Sequence, residues 1–122
     1  MSKDYRTITK DISTYTGEIR KLQPDAMQAF YALSKAAGAD GALDKKTKEL
    51  VALAIGITQR CDGCIGFHSK ALVGLGATRQ EVAEIAAMSV YMGGGPALMY
   101  AADALRAYDQ FSEPAAGASS AG

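Results

Sequence analysis

The chain has two cysteines and one histidine, and all three fall in Cys61-Asp62-Gly63-Cys64-Ile65-Gly66-Phe67-His68. This clustering within 122 residues points to thiol–disulfide chemistry. At ~3.6 residues per helical turn, the spacing C-x2-C-x3-H returns two thiols and an imidazole to one helix face. Only a thiolate is a nucleophile, and an unaided thiol, with a pKa near ~8.5, is mostly protonated at neutral pH. Two influences can lower that value. A helix start, with its unpaired N–H groups, acts most on Cys61. The imidazole of His68, four residues on, acts most on Cys64. Spacing alone leaves the choice between the two sulfurs open. Whichever attacks, the other can close a disulfide and protect it from over-oxidation.

A carboxylate behind an imidazole can orient it and relay its proton. Glu49 is the candidate. On its helix Glu49, Ala52, Gly56 and Gln59 share a face, and the two small residues allow a neighbouring helix to pack close. If that neighbour carries the cysteines, Glu49 meets His68.

The elements that must position these groups all read as helices; alternating β-branched runs are missing and alanine is abundant. A first amphipathic helix is expected over 11–22. A second opens at Pro24 with Met27, Phe30, Tyr31 and Ser34 on one face, and ends at Gly38. A third starts from an Asp44 N-cap and runs to about residue 59; its LVALAIGI segment, apolar all round, predicts a central buried helix. The motif helix follows, its stripe running from Cys61 through Cys64, Ile65, His68 and Leu72 to Leu75. Thr78-Arg79-Gln80-Glu81 is a capping box that begins a fifth helix. Gly93-Gly94-Gly95-Pro96 breaks the chain before a sixth, with Leu98, Ala101, Leu105 and Tyr108 on one face. The expected fold is an all-α bundle of five to six helices in one domain over residues 1–112, with 113–122 as a flexible tail.

Thirteen basic and thirteen acidic residues balance, so net charge recruits neither nucleic acid nor an anionic membrane. The amino terminus lacks an apolar signal core, and no apolar run approaches the ~18 residues of a membrane span. The expected location is the cytoplasm, where a cysteine pair is usually catalytic or metal-binding. Zinc is the rival reading, with Cys61, Cys64, His68 and Glu49 as ligands, but structural zinc sites usually draw ligands from separate segments. No metal or organic cofactor is expected.

The pattern E-L-V-A-L-A-I-x5-C-x2-C-x3-H, from Glu49 to His68, resembles the alkylhydroperoxidase D-like branch of the carboxymuconolactone decarboxylase family. The resemblance covers at least Asp44 to Met92. It implies an all-α fold, assembly as homo-oligomeric trimers or hexamers, and reduction of a small hydroperoxide through the cysteine pair. It also implies that Cys64 is the attacking thiol and Cys61 the resolving one, with His68 and Glu49 as the proton relay. An external dithiol protein would then reduce the disulfide. Members of the branch often carry a histidine immediately before the second cysteine; Gly63 stands there in this chain. The alternatives are a redox-responsive subunit without enzymatic activity, and a decarboxylase-like enzyme with incidental thiols.

Overall fold

The structure is a computed structural model that describes residues 2–113. Six helices follow in order: α1 (Tyr5–Leu22), α2 (Pro24–Gly38), α3 (Lys45–Thr58), α4 (Asp62–Gly74), α5 (Arg79–Gly93) and α6 (Gly95–Ser112). No strand occurs among the described residues. The expected tail over 113–122 lies outside the described residues except for Glu113.

Helix starts follow local chemistry. The Asp44 side chain accepts from the Thr47 N–H, and Thr78 with Glu81 forms the anticipated reciprocal capping box. Pro96 sits in the first turn of α6, where a missing N–H costs nothing. One start differs from expectation. α1 begins at Tyr5, well before residue 11, because Asp4 caps it by accepting from the Arg6 N–H. Gly17 lies inside that helix and does not end it.

The core is built mainly from α3, α4, α5 and α6. Leu53, Ile57, Ile65, Leu72 and Val82 are fully buried, each contributing roughly 1.5–3 kcal/mol by leaving water. α6 presents Ala97, Ala101, Ala104 and Ala107 to this core, and these short side chains let it lie close against its neighbours. Ion pairs lock the layers from outside: Lys46 to Glu81 at 2.8 Å joins α3 to α5, and Arg79 to Asp109 at 2.8 Å joins α5 to α6.

Several apolar faces are open. α3 is buried on one side only: Val51 and Ile55 are 44% and 50% exposed, so it is not the all-round core helix its composition suggested. α2 has no buried residue, and Phe30 and Tyr31 on its anticipated inner face stand in solvent. Leu75 and Leu98, expected on core stripes, are also exposed. Composition reports how apolar a helix is, but which of its sides finds a partner depends on the other helices.

Candidate functional site

The site is assembled where α3 hands over to α4. Gln59, Arg60 and Cys61 make the whole connection. The Arg60 N–H donates to Ile57 O at 3.1 Å and the Cys61 N–H to Gly56 O at 3.0 Å, the paired bonds of a Schellman turn. The turn needs one residue in the left-handed region, and Arg60 occupies it at φ 57°. The equivalent turn after α4 uses Gly76 at φ 78°.

That geometry corrects the placement of the first cysteine. Cys61 is not within the helix; it is the N-cap of α4, and its Sγ accepts the Cys64 N–H at 3.1 Å. A sulfur thus stands where a cap oxygen normally does. Cys64 and His68 lie one turn apart on α4, whereas Cys61 precedes the first turn. The two sulfurs are joined as a disulfide, with Cα atoms 5.2 Å apart.

Glu49 and His68 meet across the α3–α4 boundary. Glu49 Oε2 lies 2.6 Å from His68 Nδ1, with side chains 20% and 34% exposed. With Nδ1 engaged by the carboxylate, Nε2 is the nitrogen left to exchange a proton. No hydrogen bond joins His68 to either sulfur among the described residues in this disulfide form. Glu49 also lines an open cleft of about 540 Å³ with Tyr31, Ser34, Lys35, Asp40 and Lys45.

Two motif glycines serve a purpose that spacing did not reveal. A Cβ on Gly66 would lie 2.6 Å from Thr9 Cγ2, and one on Gly63 would lie 2.9 Å from Ile12 Cδ1. α1 therefore lies directly against the motif helix, with Tyr5, Thr9 and Ile12 forming its contact ridge. Ile12 fills the place a larger side chain at position 63 would take.

α1 also reaches the motif through Asp62, which sequence reasoning missed. Tyr5, fully buried, donates its hydroxyl to Asp62 Oδ1 at 2.8 Å, and Lys3 Nζ lies 2.9 Å from the same oxygen. Burial opposes ionisation of Asp62, but the Lys3 and Tyr5 hydrogen bonds outweigh it and hold the carboxyl below its usual range. The available signal was an acidic residue between the cysteines and two polar residues near the amino terminus, some sixty positions apart. Nothing local links them.

No group of three or more histidine, cysteine or acidic side chains positioned to hold a metal ion occurs among the described residues. No described helix is long and apolar enough to cross a membrane.

The fold and site define an all-helical protein with a C-x2-C disulfide at a helix start and a Glu–His pair beside it. The carboxymuconolactone decarboxylase family profile matches residues 24–107, and the chain belongs to that family. A crystal structure of a carboxymuconolactone decarboxylase family protein from Legionella pneumophila is 55% identical; the match covers 92% of this chain and all of that one, with a TM-score of 0.89. An uncharacterized protein of Cupriavidus necator is 40% identical over 109 residues, covering 89% of this chain and 96% of its own length. A Paracoccus denitrificans protein, named as uncharacterized protein 4 in the cox locus, is 38% identical over 98 residues, covering 80% and 88%.

Proposed function

We propose that the protein is a thiol–disulfide oxidoreductase of the alkylhydroperoxidase D-like type, reducing small hydroperoxides at Cys64. The observation that carries this reading is the 2.6 Å contact of Glu49 with His68 Nδ1, which leaves Nε2 free on the helix that bears Cys64 one turn earlier.

In the reduced protein His68 takes the Cys64 proton through Nε2, and Glu49 stabilises the imidazolium that forms. The Cys64 thiolate attacks the terminal peroxide oxygen. The O–O bond breaks, the alkoxide leaves and is protonated to the alcohol, and Cys64 becomes a sulfenic acid. Cys61 then attacks that sulfur, forming the disulfide and releasing water. In the disulfide form the Cys64 N–H lies 3.1 Å from the Cys61 sulfur; kept in the reduced protein, that helix-start contact favours the thiolate that this second attack needs. A dithiol protein returns two electrons and two protons, so each cycle consumes one peroxide and one dithiol.

Other copies of the chain are the proposed partners of the open faces. Phe30, Leu33, Tyr91, Met92 and Met99 are each more than half exposed, and apolar surface on that scale favours association. A homo-oligomer, trimeric or hexameric, is the expected assembly.

Peroxide consumption with a dithiol reductant, compared for wild type, Cys64→Ser and His68→Ala, tests the activity. Turnover in wild type that vanishes in Cys64→Ser supports the enzyme. A wild type without turnover, whose size by light scattering changes with redox state, would replace it with the redox-responsive subunit.

A further inference from the structure

We propose that Lys3 is a positioning residue for the thiol chemistry: it neutralises Asp62, the carboxylate inside the cysteine motif, and so keeps the motif's thiols ionisable.

Asp62 has two opposed effects. As the first residue of α4 it complements the helix dipole and favours the helix start. As the residue that follows Cys61 it also brings a negative charge to the start of the motif helix, and a like charge near a forming thiolate raises the thiol pKa. A cation on Asp62 keeps the first effect and cancels the second. Lys3 Nζ supplies it, 2.9 Å from Asp62 Oδ1 and 2.8 Å from Asp103 Oδ2, with the Tyr100 ring centroid 4.8 Å away.

The placement is built in. The Gln110 side chain accepts from the Tyr5 N–H at 2.8 Å and donates to Lys3 O at 2.9 Å, pinning the backbone on both sides of Asp4. Tyr5 OH holds Asp62 from the side of α1. The fourth charge is Arg106, 3.8 Å from Asp103. Among the described residues two cations therefore face two carboxylates, and losing Lys3 leaves that group with a net negative charge.

The idea rests on the thiol reading above for its functional meaning, yet it is measured without substrate. The protein is reduced with excess dithiothreitol, which gives two electrons and two protons to the Cys61–Cys64 disulfide and becomes its own cyclic disulfide, and is then freed of reductant. It is then alkylated with iodoacetamide across pH, each cysteine being followed by mass spectrometry. Lys3→Met should raise the lower thiol pKa by about half a unit to one unit, slowing alkylation at pH 7 roughly threefold to tenfold as the thiolate fraction falls. Lys3→Arg, which keeps the charge, should retain the wild-type value. Asp62→Asn alone should lower it, and the pair Lys3→Met/Asp62→Asn should return most of the shift. A purely structural role for Lys3 would give no such rescue. An unchanged pKa in Lys3→Met, or a shift that persists in the double variant, overturns the assignment. If Lys3→Met does not fold, Asp62→Asn decides the question, because an unchanged or raised pKa there overturns it too. Absent peroxide turnover in wild type would sink the peroxidase reading and leave this comparison standing.

Discussion

Gly56 of α3 and Cys64 of α4 share a contact with no room for a side chain: a Cβ on Gly56 would lie 2.9 Å from Cys64 Cβ. The same closeness lets Glu49, two turns earlier on α3, reach His68. Glycine at position 56 thus sets the separation of the two helices that carry the site. Gly56→Ala should force them apart and destabilise the protein by about 1–3 kcal/mol. Urea denaturation measures the loss, and Gly56→Val should cost more than alanine.

The Glu49–His68 pair should act as a unit. His68→Ala removes the base, and peroxide turnover should fall roughly 100-fold or more, within the usual range for a general base. Glu49→Gln keeps the shape but loses the charge that supports the imidazolium, and should fall less. The double variant should be little worse than His68→Ala, since a carboxylate with no imidazole behind it has nothing to orient. Additive losses in the double-mutant cycle would separate the two residues.

Arg60 holds a left-handed backbone at φ 57° where its counterpart after α4 is glycine. A residue with a Cβ carries a cost there of roughly 1–2 kcal/mol. Arg60→Gly should therefore stabilise the oxidised protein by about 1 kcal/mol, after allowing for glycine's greater freedom when unfolded. The shift in denaturation midpoint at constant slope checks it.

Stability should fall at both pH extremes, through two residues of one network. Asp62 is held below its usual range, burial opposing but the Lys3 and Tyr5 bonds prevailing. Its stabilisation is present above about pH 4 and is lost as pH falls through the lowered folded value. Tyr5 is pushed well above the usual phenol range, first by burial and then by its bond to Asp62. Its stabilisation is present below about pH 10, and is lost as pH rises toward the raised folded value because the unfolded tyrosine ionises first. In thermal unfolding against pH, Asp62→Asn should flatten part of the acid limb and Tyr5→Phe part of the alkaline one.

Two buried serines should respond differently to alanine. Ser69 on α4 is fully buried and its Oγ has no hydrogen-bond partner among the described residues. Ser69→Ala should be neutral or stabilising by up to about 1 kcal/mol, because it removes an unsatisfied hydroxyl. Ser89 bonds Ile85 O at 3.1 Å and Ala54 O at 3.4 Å, so Ser89→Ala should destabilise by about 1 kcal/mol. Parallel denaturation curves decide between them.

The sequence by itself determined the helices with local punctuation: Asp44 and the Thr78–Glu81 box mark helix starts through bonds made within a few residues, and Pro96 does so through its fixed φ and missing N–H. It also determined the small face at Gly56 and the neighbours Cys64 and His68, since helical periodicity is a local property. Local signals did not reveal the turn at Arg60, where a non-glycine residue takes the left-handed position and so moves Cys61 off the helix to its cap. Only the tertiary structure decided that α1 lies on Gly63 and Gly66, that Lys3 and Tyr5 reach Asp62, and which sides of α2 and α3 stay open. Those contacts join residues far apart in the chain, and their energy comes from surfaces meeting, which no single segment encodes.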